Sequence, residues 1–179
     1  MTQSLELLLD PELDALVRDQ WDELRAAGLP SQGNHSGPSN APHITLAVAQ
    51  KVPDEIEDAL RALALQVPVS IRLGGLLWFG QRDGRQILVR SVVVNPELLA
   101  LQAEAARLYA GLPGTDDLLT PGRWSPHVTL GRRFRPDQVG AAFQTLGYFS
   151  ESEGQAVALR RWDSDAKHAW TLLPPGDPA

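Results

Sequence analysis

The chain is 179 residues long, 43% hydrophobic, and carries a formal net charge of −6. It is long enough for one sizeable core, and its acidic balance argues against a broad basic face for long nucleic acid, which requires clustered Lys and Arg to replace counterions. Cysteine is absent, which excludes disulfides and thiolate metal sites. The apolar run at residues 5–9 has no basic residues before it and is too short to span a bilayer, so a cytoplasmic monomer with no membrane partner is the expectation.

Residues 5–9 read as a strand. Asp10 suits a helix N-cap with Pro11 at the first helical position, and Gly28 closes the helix they open. A polar loop over residues 31–41 leads into a strand at His43, after which Pro53-Asp54-Glu55 opens a helix with Ile56, Leu60 and Leu63 on its apolar face. Residues 67–79 and 86–94 are rich in β-branched and apolar side chains and flank Gln81-Arg82-Asp83-Gly84, the signature of a hairpin. Asn95-Pro96 repeats the earlier helix start, and that helix runs to about residue 110. A loop over 111–122, a strand at His127 and a helix over about 136–146 follow. Strands at about 156–162 and 168–173 then precede a Pro/Gly tail, residues 174–179, expected to fray. Gly74-Gly75 and the glycines between 111 and 114 read as turn or cap glycines, because no Gly-Lys-Ser/Thr follows to make a phosphate loop.

One pattern occurs twice, as Pro42-His43-Ile44-Thr45-Leu46 and Pro126-His127-Val128-Thr129-Leu130, 84 residues apart. The flanks repeat with it. Asp10-Pro11-Glu12-Leu13 matches Asn95-Pro96-Glu97-Leu98, Gly28-Leu29-Pro30 matches Gly111-Leu112-Pro113, and Pro53-Asp54 matches Pro136-Asp137, at offsets of 83 to 85. Such a period exceeds the ~20–50 residues of a solenoid unit. The chain therefore reads as a single domain over 1–179 built from a duplicated half, about 5–65 and 86–148, with one site between two lobes.

Strand alternation puts His43 and Thr45 on one face and Ile44 and Leu46 on the other, and likewise His127 and Thr129 against Val128 and Leu130. If a pseudo-twofold relates the halves, both His/Thr pairs face one groove. Two imidazoles on opposite sides of a reacting atom serve as base and acid, and threonine hydroxyls donate to phosphate oxygens that gain charge. Neither role needs a metal or a cofactor.

At these residues the chain resembles the 2H phosphoesterase superfamily, which includes RNA 2′,3′-cyclic phosphodiesterases and 2′-5′ RNA ligases and whose signature is two His-x-Thr motifs. The run Trp124-Ser125-Pro126-His127-Val128-Thr129-Leu130-Gly131-Arg132 is especially similar. The resemblance implies an α+β, bilobal fold with pseudo-twofold duplicated antiparallel sheets, helices packed outside and a central cleft holding all four motif side chains. It implies a metal-independent phosphodiesterase acting on an RNA terminus or a small cyclic-phosphate nucleotide, with reverse 2′-5′ ligation as a further capacity. By the same similarity His43 is the general acid, His127 the general base, and Arg132 a substrate-binding residue. Two departures stand out. The first motif continues Ala47-Val48-Ala49-Gln50 instead of the aromatic-Leu-Gly of many relatives, and strict alternation puts Arg133, not Arg132, on the His127 face unless a bulge intervenes.

Other residues carry weaker signals. His35 lies in a Gly/Ser/Asn loop and His168 in a late strand, both outside the motif, and neither joins the catalytic set. A zinc site is disfavoured because Thr45 and Thr129 stand where a strand ligand would be, and no His-x-x-x-His pair exists. Trp78, Trp124, Trp162 and Trp170 are each able to stack on a base, but single tryptophans on apolar strands are mostly core. The competing reading is a nucleotide- or phosphate-binding protein that uses the same cleft without turnover.

Overall fold

The computed structural model describes residues 2–81, 83–147 and 150–173; the 174–179 tail lies outside them. Two five-element runs follow one another. The first is β1 (Gln3–Leu9), α1 (Pro11–Ala26), β2 (His43–Ala49), α2 (Glu57–Leu63) and β3 (Val69–Gly80). The second is β4 (Gln86–Val92), α3 (Pro96–Tyr109), β5 (His127–Phe134), α4 (Val139–Leu146) and β6 (Ser152–Asp163), and β7 (His168–Leu172) ends the described chain. The matching helix starts have one cause: Asp10 and Asn95 each accept the N–H three residues on, from Leu13 and Leu98, at 2.8 Å, with Pro at the next position. The helices expected after each motif are shorter than their apolar pattern suggested, because 3-10 turns at Asp54–Ile56 and Pro136–Gln138 occupy their starts. Gly74-Gly75 departs from expectation too. It sits inside β3 at a register shift, where a side chain on Gly74 would stand 2.6 Å from Ser91 Oγ.

All strand pairs are antiparallel, in the order β1-β2-β5-β4-β3-β6-β7, and a further pairing of β1 with β6 joins six of the strands into a ring. Within that ring the pairings map onto themselves when β1, β2 and β3 are exchanged with β4, β5 and β6, and β7 is an addition beside β6. Two pairings lie on that pseudo-axis, β3 with β6 and β2 with β5. The helices cross between halves: α1 packs on α4 and reaches β5 and β6, while α3 packs on α2 and reaches β2 and β3.

The core is one cluster on the helix-covered face, including Leu5, Leu7, Leu13, Val17, Trp21, Ile44, Leu46, Val128 and Leu130. Burying the apolar alternate of each motif strand there leaves the polar alternate on the opposite face. Among the described residues, no helix is long and apolar enough to cross a membrane.

Candidate active site

The two motifs lie on neighbouring strands and meet at their centres, where Ile44 pairs with Val128. Both of those side chains are fully buried. His43, Thr45, His127 and Thr129 therefore emerge together on the other face, beside the seam between the halves. The seam is braced symmetrically. Trp21 of the first half donates its indole N–H to the Thr129 carbonyl, and Trp124 of the second donates to the Thr45 carbonyl, each at 3.0 Å.

Each imidazole is held the same way. His43 Nδ1 lies 2.8 Å from the Ala41 carbonyl and His127 Nδ1 lies 2.7 Å from the Ser125 carbonyl. A carbonyl only accepts, so Nδ1 carries the proton in both rings, and Nε2 is the atom left to gain or lose one. Threonine at the second position supplies a hydroxyl on the same face; Thr45 is half-buried and Thr129 buried.

Beyond this shared frame the surroundings differ. On the first-half side, Glu6 pairs with Thr45 across β1 and β2, and its carboxylate lies 3.7 Å from His43 Nε2. Glu6 is buried, accepts from Ser4 Oγ at 2.6 Å, and is clamped by Arg160 through Nε at 3.0 Å and Nη2. On the second-half side, the Phe79 ring meets His127 edge-on with centroids 4.9 Å apart. Burial holds the His127 imidazole below the ordinary histidine value; the Ser125 carbonyl partly opposes this, and the charges of Arg132 and His43 add to it.

The position of Arg132 is decided by β5. Thr129 pairs with Val89 and Gly131 with Leu88, so Leu130 is an extra residue, a β-bulge, and a second shift follows before Phe134 pairs with Gln86. Leu130 and Gly131 are both buried, which returns Arg132 to the His127 side, where its charge reaches the imidazole. Arg133 absorbs the irregularity with φ of 66°. Alternation alone pointed to Arg133; the bulge reverses that.

Of the remaining sequence candidates, His35 and Trp162 line a cavity beside His43, and the others fall elsewhere. His168 is exposed and stacks on Trp170 at 5.5 Å, and His35 is an exposed loop residue. Trp78 packs edge-on against Phe134 at 5.1 Å, and Trp170 donates to Glu57 beneath the Arg161 guanidinium. Glu6, Arg160 and Phe79 are site neighbours that motif reading missed. The signal for the first two was a charge inside an apolar strand run, Leu5-Glu6-Leu7 and Leu159-Arg160-Arg161. Among the described residues, no group of three or more His, Asp or Glu side chains is arranged to hold a metal ion.

Comparison with known proteins finds the same fold. TT0787 of Thermus thermophilus is similar in structure over 98% of this chain and 100% of its own, with a TM-score of 0.52 and 16% identity. Kluyveromyces marxianus Usb1 with uridine monophosphate gives 0.54 at 13% identity, over 96% and 98% of the two chains. E. coli LigT in its apo form gives 0.52 at 17%, over 96% and 94%. No curated protein matches by sequence. At these identities the likeness shows the fold. The sequence profile of the 2′-5′ RNA ligase superfamily matches residues 12–167, both motifs included, and the chain belongs to that superfamily of 2H phosphoesterases.

Proposed function

We propose that this protein is a phosphodiesterase that opens 2′,3′-cyclic phosphates on RNA ends or small nucleotides, with both proton transfers made by imidazoles. The observation that carries the reading is the matched pair of histidines, each with Nδ1 tied to the carbonyl two residues earlier and Nε2 turned to a shared face. Solved relatives support the nucleotide class: Usb1 has been seen with uridine monophosphate, and LigT with phosphate and with 3′-AMP.

In the proposed reaction a water loses a proton to His127 Nε2 as its oxygen bonds to phosphorus. The bond from phosphorus to one ribose oxygen breaks, and that oxygen takes the proton from His43 Nε2, leaving a nucleoside monophosphate. The surroundings support this direction. Burial and the Arg132 charge disfavour the protonated form of His127, which suits a proton acceptor, and the Glu6 carboxylate lies 3.7 Å from His43 Nε2. Thr45 and Thr129 donate to the non-bridging oxygens, and Arg132 offsets their charge. Ligation is the same ring opening with a ribose hydroxyl of a second strand in place of water: His127 Nε2 takes that hydroxyl's proton as its oxygen bonds to phosphorus, and His43 Nε2 protonates the departing ring oxygen.

Turnover of the four nucleoside 2′,3′-cyclic phosphates, with phosphorus NMR of the products, tests the reading. His43→Ala and His127→Ala are each expected to lose roughly 10²–10⁴-fold in kcat, with strongly non-additive losses in the double variant. Turnover is expected to survive EDTA. A parent protein that binds cyclic phosphates but turns none over would instead be the phosphate-binding relative of such an enzyme.

A further inference from the structure

The face that carries the motifs is symmetric in topology and asymmetric in chemistry. In the first half Thr45 pairs with Glu6, and Glu6 with Arg160; at the matching places Thr129 pairs with Val89, and Val89 with Leu77. A buried ion pair in one half thus stands where the other has two aliphatic side chains. Two residues along, Trp162 on β6 occupies the place of Phe79 on β3, since Ser4 pairs with Trp162 as Ile87 pairs with Phe79. Phe79 lies against His127. Trp162 does something different: with His43 it lines a cavity of about 560 Å³.

That volume falls within the roughly 300–1,000 Å³ of small-ligand clefts. One wall is the loop before β2, held in place by its own polar contacts. Asn40 donates to the Gln32 and His35 carbonyls at 3.0 and 2.9 Å, and Arg160 Nη1 donates to the Ser39 carbonyl at 2.8 Å. The opposite wall is Trp162 with the β6–β7 turn, which contributes the exposed ammonium of Lys167. A preformed cleft with an aromatic face, amide and hydroxyl groups and one outer cation matches a nucleoside that carries a further phosphate.

The reaction geometry points to the same place. When a 2′,3′-cyclic phosphate opens, the departing oxygen stays on its ribose, so the nucleoside and the proton donor lie on the same side of phosphorus. With His43 as donor, the nucleoside falls toward the cavity beside His43, and water approaches from the His127 and Phe79 side.

We infer that this cavity is the nucleoside subsite, in which Trp162 stacks on the base and Lys167 pairs with a 5′-phosphate. The preferred substrate is then an RNA 3′ end with a 2′,3′-cyclic phosphate and a 5′ phosphodiester link, ahead of the free cyclic nucleoside. The inference rests on the phosphodiesterase reading and on the donor role of His43.

The test compares adenosine 2′,3′-cyclic phosphate with a free 5′-hydroxyl and with a 5′-phosphate. The parent protein is expected to favour the 5′-phosphate in kcat/KM by roughly 5-fold, as for a partly exposed ion pair. Lys167→Asn, which suits the positive φ of 49° there, should bring the two substrates nearly level. Trp162→Ala should raise KM for both by on the order of 10-fold with kcat little changed, and Trp162→Phe should restore most of the loss. A 5′-phosphate preference that persists in Lys167→Asn, or unchanged KM in Trp162→Ala, overturns the subsite. If the parent turns over neither substrate, the phosphodiesterase reading fails first, and calorimetry with adenosine 3′,5′-bisphosphate decides the subsite. Weaker binding by both Lys167→Asn and Trp162→Ala sustains it; equal binding by all, or none by the parent, overturns it.

Discussion

His43 and His127 sit in the same tripeptide pattern with the same Nδ1 bond, yet a carboxylate faces one and a phenyl edge the other. Burial lowers the His127 value, so the limb of kcat/KM on the acid side, where a neutral base is lost, should fall below the reference of ~6.5. Phe79→Ala, by letting water reach the ring, should move that limb upward toward ~6.5; a limb that stays put would remove His127 as the base. The same shift bears on folding. The unfolded chain binds the proton more readily, so the His127 contribution is present above ~6.5 and is lost as pH falls through the lower folded value.

Glu6 and Arg160 are both buried and paired, which makes them costly to separate. Glu6→Gln leaves the guanidinium without its counter-charge and should cost about 3–5 kcal/mol in urea unfolding. Adding Arg160→Met should recover much of it, since no unpaired charge then remains. Equal stability of the single and double variants would contradict the pairing argument.

At the scale of elements, β5 makes the site by being irregular. Its extra residue at Leu130 keeps two successive side chains in the core and so delivers Arg132 to the His127 face. Gly131 is required there because a Cβ would collide with the Pro30 carbonyl oxygen and stand 2.8 Å from Phe134 Cε2. Gly131→Ala should therefore destabilise by about 1–3 kcal/mol, as overpacking does. It should also lower kcat/KM through displacement of Arg132. A variant with parental melting and activity would mean that the bulge tolerates a side chain.

At the scale of the whole molecule, the two motif strands touch through the pair Ile44 and Val128, and the cross-half strand pairings β1–β6, β3–β4 and β3–β6, with the cross-half helices and the Trp21 and Trp124 indoles, carry the rest of the alignment. The formal net charge of −6 argues against a counterion-releasing face for long RNA. For single-stranded substrates with a cyclic phosphate end, kcat/KM should accordingly level off within a few nucleotides. Its logarithm should fall only shallowly with that of salt, by a slope of about −0.7 for each of one or two phosphates contacted. A steep slope that grows with RNA length would reveal a phosphate track away from the cleft.

The sequence by itself determined the doubled His-x-Thr pattern, the matching helix starts at Asp10 and Asn95 and the strand alternation that sends both His/Thr pairs away from the core. All of these are local: a cap needs residues three apart and a face needs period two. What distinguishes the two histidines was decided only by tertiary structure. Glu6 reaches His43 from a neighbouring strand, Arg160 reaches Glu6 across 154 residues, and Phe79 meets His127 from the hairpin beyond. Arg132 illustrates the boundary. Its face follows from a two-residue rule that holds along a regular strand, and a register shift against β4 reversed it, because a bulge is a property of two paired strands and not of one.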